Sequence, residues 1–150
     1  MISEEEALEE NLITRFANIQ AMKGQCASNQ SVRVRKLSAG ARMPTRGSGR
    51  AAGHDLYANE GTKVPARGQA IIGTGIAIGV SHNTCGRIAP RSSPAEKYQL
   101  MPNARMIDTD CRGEVKVLLA NLVDQLYWVE KGDRIAQLII EKLTTGNYKK

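Results

Sequence analysis

Residues 75–80 read Gly-Ile-Ala-Ile-Gly-Val, so Ile76, Ile78 and Val80 alternate with Gly75, Ala77 and Gly79. A period of two puts the three branched side chains on one face of a strand, the pattern of a half-buried sheet. The same period recurs outward in both directions. Val32 and Val34 alternate with Arg33 and Arg35, and Val115, Val117 and Leu119 alternate further on. Ile135-Ala-Gln-Leu-Ile-Ile140 is a short apolar run rich in β-branched residues. Clusters of Gly, Pro, Asn and Asp separate these segments, each about five residues long. No helical pattern follows residue 24. The expectation is an all-β barrel or two-sheet jelly roll.

Residues 3–22 differ. Ser3 followed by Glu6 fits a capping box, and Leu8, Leu12, Phe16 and Ile19 fall on one helical face, with Gly24 as a stop. The expected organisation is an amphipathic helix over 1–24, a basic linker and first strand over 25–50, the β core over 51–143 and a short tail over 144–150. The helix must bury its stripe, and its own domain is the simplest place.

At 150 residues the chain can bury a core without disulfides or a structural metal. Its 41% hydrophobic and 24% charged residues are ordinary globular composition. No apolar run approaches the ~20 residues of a membrane helix, so no membrane partner is expected. The start, Met-Ile-Ser-Glu-Glu-Glu, does not read as a signal peptide. Cys26, Cys85 and Cys111 are odd in number and lack metal-ligand spacing, which fits a reducing intracellular compartment, cytoplasm or nucleus. Six aromatic residues are too few for a base-stacking platform. The net charge of +6 concentrates in Arg33, Arg35, Lys36, Arg42, Arg46 and Arg50. Such a segment is either a solvated connector or a weak, non-specific nucleic-acid contact through residues 33–50.

Four segments carry polar residues that simple strands and turns do not require. They are Ala51-Ala-Gly-His-Asp-Leu-Tyr57, Gly86-Arg-Ile-Ala-Pro-Arg-Ser-Ser-Pro-Ala95, Met106-Ile-Asp-Thr-Asp-Cys-Arg-Gly-Glu114 and Gly132-Asp-Arg-Ile-Ala-Gln-Leu-Ile139. Pro90-Arg-Ser-Ser93 offers a guanidinium, hydroxyls and turn amides, which suit an anion as well as a plain polar turn. Asp108, Asp110 and Arg112 would share one face of a regular strand, either as an ion-paired face or as a carboxylate that orients water or a Mg²⁺ water shell beside a triphosphate. Gln137 interrupts an apolar strand, where its amide needs partners. His54 is read as a neutral polar side chain near a turn, without a role.

In this order and spacing the four segments, led by Pro44-Thr-Arg-Gly-Ser48, resemble the motifs of the trimeric dUTPase family, over about residues 32–140. The resemblance implies a β jelly roll of the β-clip kind, a homotrimer with sites at subunit interfaces, and hydrolysis of dUTP to dUMP and pyrophosphate by in-line attack of water on the α-phosphorus. Residue by residue, it implies Asp108 as the catalytic base, Ser92, Ser93 and Arg91 as the phosphate-binding turn, and Gln137 as a phosphate contact. It implies base and sugar contacts around Asn103, Ile107 and Cys111. The cofactor implied is Mg²⁺, held mainly by phosphates and waters, with Asp55 acting on it through water.

The chain departs from the family pattern in its third motif. Cys111 stands where the family has a tyrosine that packs on deoxyribose, and Arg105 where its uracil hairpin has a glycine. Pro94 and the Pro102-Asn103 turn are also unusual, and Leu143–Lys150 holds no match to the family's Gly-rich fifth motif. The phosphate half is kept, and the altered base and sugar half implies weakened activity with relaxed exclusion of UTP. The alternative reading is a family-like trimer of impaired or lost catalysis. It would serve as a binding or structural module, with an origin in a retroelement or viral polyprotein.

Overall fold

The computed structural model describes residues 32–92, 98–103 and 105–149. The expected N-terminal helix, residues 25–31 of the expected linker, Ser93 and Pro94 lie outside the described residues.

Ten strands follow in order: β1 (Arg33–Lys36), β2 (His54–Tyr57), β3 (Thr62–Val64), β4 (Gln69–Gly79), β5 (Thr84–Ala89), β6 (Leu100–Pro102), β7 (Arg105–Ile107), β8 (Glu114–Asn121), β9 (Tyr127–Val129) and β10 (Arg134–Lys142). They form a four-stranded sheet β1-β4-β8-β6, a second four-stranded sheet β2-β10-β5-β7 and a two-stranded ribbon β3-β9. Every pairing is antiparallel. The result is the expected all-β jelly roll.

The alternating stretch behaves as its period demands. Ile76 and Ile78 of β4 are buried, as is Val80 just beyond it. They join Ile72, Val117 and Leu119 of the same sheet and Leu56, Ile88 and Leu138 of the other in one apolar cluster. Removing any of these large side chains would leave a cavity, at roughly 2–5 kcal/mol each. Gly75 interrupts β4. Its φ of +68° lies in the left-handed region, and a Cβ there would sit 2.8 Å from the Asn59 side chain. The pairing with β8 slips between Gly73 and Ala77, and the Glu114 carboxylate accepts the Gly75 N–H at 2.9 Å. This bulge bends the strand and leaves its donor satisfied.

The expected basic linker over 25–50 is built into the fold from Arg33 onward. β1 pairs with β4, placing Val34 opposite Ile78. Thr45 and Asp55 exchange backbone hydrogen bonds at 2.6 and 3.3 Å, which docks the Pro44–Ser48 stretch beside β2. Arg42 lies 5.6 Å from the centre of the Tyr57 ring, and Arg46 donates to the Ala51 carbonyl at 2.8 Å. Arg42 and Arg46 are thus engaged locally.

Candidate active site

The sheet β2-β10-β5-β7 positions the site. β10 lies between β2 and β5, with Gln137 opposite Asp55 on one side and Ala89 on the other. Segments 36 and more residues apart in sequence therefore converge where β5 ends.

Four groups meet there. Gln137 Nε2 donates to the Pro90 carbonyl at 2.8 Å, giving the amide the partner expected of it. Arg91 Nε donates to Asp55 Oδ1 at 2.8 Å. Arg134 Nη1 stands 3.6 Å from Asp55 Oδ2. A longer bond of 3.5 Å runs from Arg91 Nη1 to the Arg134 carbonyl. Asp55 is 8% exposed, and a carboxylate this buried needs cationic or hydrogen-bonding partners. The two guanidinia supply them and leave the cluster with one net positive charge. Arg134 keeps about half of its side chain in solvent, available to an anion. A hollow of about 200 Å³ opens beside both guanidinia, lined also by Asp133, Tyr127 and Leu100. Ser92 follows Arg91 directly and is exposed.

Gly53 makes this convergence possible. A Cβ at that position would sit 2.9 Å from Gln137 Oε1 and 2.7 Å from the Leu138 carbonyl oxygen. Only a glycine lets the chain entering β2 lie so close under Gln137.

The third segment is organised differently. Ile107 ends β7, buried opposite Gly86. The expected strand face of Asp108, Asp110 and Arg112 is not formed, because the backbone turns there instead. The Cys111 N–H reaches back to the Asp108 carbonyl at 3.1 Å, closing a four-residue turn. Arg112 Nη1 donates to the carbonyls of Thr109 at 2.7 Å and Cys111 at 3.0 Å. Turn-forming Asp residues outcompete strand pairing here. Asp108 is exposed at the head of the turn, while Cys111 is half-buried and packs against the core. Asn103 sits where the chain crosses from one sheet to the other. Its N–H donates to the Leu118 carbonyl at 2.8 Å, and Nδ2 donates to Gln69 Oε1 at 3.3 Å. Arg105 is exposed opposite Ile88.

Asp55, Arg91, Gln137 and, by chain continuity, Ser92 thus gather at one place. Asp108, Cys111, Asn103 and Ile107 do not join them. β7 runs antiparallel to β5, so Asp108 leaves the sheet beyond Gly86, toward the start of β5. Arg91 lies five residues the other way, roughly 17 Å at strand rise. Ser93 is outside the described residues. Sequence reasoning missed Arg134 and Gly53. Arg134 was visible as the one base within the fourth segment, three residues before Gln137. Gly53 gave no signal beyond being a glycine next to a strand.

Among the described residues no group of three His, Cys, Asp or Glu side chains is placed to hold a metal ion. Asp55 already accepts from one guanidinium and lies near a second.

Comparison with known proteins adds to this geometry. Residues 39–149 match the sequence family described as dUTPase. A deoxyuridine 5'-triphosphate nucleotidohydrolase of Debaryomyces hansenii is 47% identical over 122 residues, covering 81% of this chain and 76% of that protein. Its counterpart in Paramecium bursaria Chlorella virus 1 is 49% identical over 115 residues, covering 77% and 82%. Among solved structures, a mutant dUTPase of Staphylococcus bacteriophage 80alpha with dUpNHpp matches with a TM-score of 0.75 at 26% identity, covering 81% of this chain and 96% of that one. A mutant dUTPase from phage phi11 of S. aureus, whose structure describes coordination of a structural Mg(II) ion, shares the fold with a TM-score of 0.75 at 24% identity. Its overlap covers 80% of this chain and 95% of that one. With residues 39–149 matched by the family and relatives 47% and 49% identical over most of the chain, the protein belongs to the dUTPase family.

Proposed function

We propose that the protein hydrolyses dUTP to dUMP and pyrophosphate, by in-line attack of water on the α-phosphorus. The observation that carries this reading is the convergence of Arg91, Arg134 and Gln137 around the buried Asp55, with Ser92 next to Arg91 in the chain. That cluster suits a polyphosphate. Fixed N–H donors and a net positive charge match its oxygens, and Asp55 holds Arg91 in place before the substrate arrives. Gln137 is fixed by the Pro90 carbonyl and the close approach of Gly53. Asp108, exposed on its own turn, is free to accept a proton from water. Asn103 and the backbone toward Ile107 take the base, and Cys111 lies on the sugar side. No covalent intermediate is required, since positioning and charge neutralisation lower the barrier.

Mg²⁺ enters this reading with the nucleotide. Mg²⁺ typically keeps phosphate and water ligands, and Asp55, beside the phosphate-binding groups and already accepting from Arg91, would act on it through water. When bound, the metal supplies charge neutralisation on the phosphates.

The reading includes a homotrimer. Asp108 and Arg91 belong to opposite ends of β5, so a complete site needs the Asp108 turn of another copy beside the phosphate cluster of the first. Exposed Met106 on β7 and Ile71 on β4 are apolar surface for such contacts. The compartment proposed is intracellular, cytoplasm or nucleus, in keeping with Cys85 and Cys111 as free thiols. Any nucleic-acid contact through residues 33–50 would be weak and salt-sensitive. The relatives' names favour an enzyme over a binding module. The test is pyrophosphate release from dUTP, UTP, dCTP and dTTP, with and without Mg²⁺. Mg²⁺-dependent turnover of dUTP is expected, and no turnover of any of the four would overturn the proposal.

A further inference from the structure

We infer that Arg112 is a positioning residue for Asp108, acting as a clamp on the turn that carries it. The inference rests on the reading of Asp108 as the base. The turn is closed by one backbone hydrogen bond, Cys111 N–H to the Asp108 carbonyl, at 3.1 Å near the long end of the usual range. One flank is anchored by Cys111 packed on the core. On the other flank Ile107 is buried in β7, while Asp108 and Asp110 within the turn are exposed and Gly113 after it has nothing within 4 Å of where a Cβ would stand. Arg112 restrains the exposed part of the turn between these two anchors. Its Nη1 carries two hydrogens and reaches two carbonyls, Thr109 at 2.7 Å and Cys111 at 3.0 Å. Both bonds are charge-assisted, so they are the stronger contacts in the turn. They fix the peptide planes after Thr109 and Cys111, and with them the direction in which Asp108 presents its carboxylate. Both Nη1 hydrogens go to these carbonyls, and because Arg112 is exposed with further donors, the experiment must separate a clamp from a phosphate ligand.

The experiment compares wild type, Arg112→Ala and Arg112→Lys. Steady-state hydrolysis of dUTP gives kcat and KM, and amide exchange by NMR follows the Cys111 N–H. A misplaced base lowers kcat without weakening binding, so Arg112→Ala should lose roughly 10- to 100-fold in kcat with KM nearly unchanged. The bond uses a single nitrogen, and an ammonium has three donors, so Arg112→Lys should restore most of kcat. Exchange at Cys111 should accelerate in the Ala variant and return toward wild type in the Lys variant. An unchanged kcat with unchanged exchange would overturn the inference. A raised KM with kcat intact would overturn it too, by making Arg112 a phosphate ligand. A wild-type chain silent on every nucleotide would overturn the reading of Asp108 instead, and the exchange comparison would still decide whether the clamp exists.

Discussion

Gly53→Ala tests whether close packing beneath Gln137 sets the activity. The added methyl would stand 2.7 Å from the Leu138 carbonyl oxygen, 2.9 Å from Gln137 Oε1 and 3.0 Å from Ile139 Cγ1. Ordinary contact begins near 3.4 Å, so β10 or the chain before β2 must give by about 0.7 Å at a backbone atom. The amide of Gln137 is among the atoms displaced, and its bond to the Pro90 carbonyl moves with it. A displacement of that size in a positioned group costs roughly 10- to 100-fold in kcat/KM. Overpacking a strand pair costs about 1–3 kcal/mol. In a domain of this size each kcal/mol lowers Tm by about 2–4 °C. The assay pairs pyrophosphate release from dUTP with a thermal scan. Gly49→Ala is the control, because nothing lies within 4 Å of that position and both readings should stay at wild type. A Gly53→Ala protein with wild-type kcat/KM and Tm would refute the argument, since it would show that β10 accommodates the methyl without moving Gln137.

Asp108→Asn keeps the shape of the side chain but not its basicity, and should lower turnover by ~10²–10⁴-fold while the assembly survives. Turnover like wild type would show that another group takes the proton. Light scattering at micromolar protein should report about three times the 16.3 kDa chain mass, and a value near one chain mass would refute the shared-site reading. Cys111→Tyr with Arg105→Gly should raise the kcat/KM ratio of dUTP over UTP, because a thiol leaves room for a 2'-hydroxyl that a ring would exclude. A wild-type chain that already rejects UTP strongly would show that another group closes the sugar side. The Arg67 guanidinium holds the exposed Asp124 carboxyl below the usual carboxylate range. Any stabilisation from this pair is therefore present above roughly pH 4 and fades as pH falls through the lowered value. The pair lies on the surface, so Asp124→Asn should leave Tm at pH 7 unchanged, and a clear drop would show a larger role for it.

The long strands were legible because their burial is written in the period: Ile76, Ile78, Val117 and Leu119 are inward, as alternation requires. The short ones were not. β3, β6, β7 and β9 have three residues each, too few to show a period. Asp108, Asp110 and Arg112 misled for the opposite reason. Spacing of two suggests a strand face, but Asp-Thr-Asp is also turn chemistry, and the turn prevailed. The anion-binding character of Arg91 and the need of Gln137 for a partner were legible from residue type. The partner of Asp55 was not. Its guanidinia come from positions 91 and 134, brought near by sheet order, which no local pattern encodes. The resemblance implied that Asp55 acts on a metal through water, and the structure adds two arginine partners to that reading.

That arrangement gives Asp55 a physical role independent of any metal. An arginine in open solvent samples many rotamers, and holding it at a phosphate costs conformational entropy at the moment of binding. A buried carboxylate at 2.8 Å fixes Arg91 beforehand, and the second guanidinium keeps the cluster cationic. Neither charge alone would suit the site. Without Asp55 the two guanidinia repel each other, and without Arg91 a buried carboxylate faces the incoming phosphates. β5 sets the second constraint. Arg91 follows its end, beside Arg134 of β10, and its pairing with β7 puts the exposed Asp108 turn near its beginning. Within one chain the length of this strand keeps the two apart. In the reading proposed, rotation to a second copy brings them together, and a closed ring repeats that contact for every chain. The exposed Met106, one residue from Ile107 and two from Asp108, then lies on the surface such a contact covers. That reading ties catalysis and assembly to one feature of the sheet: β7 carries Asp108 away from Arg91 and Arg134 of its own chain, so the proposed site closes where two chains meet.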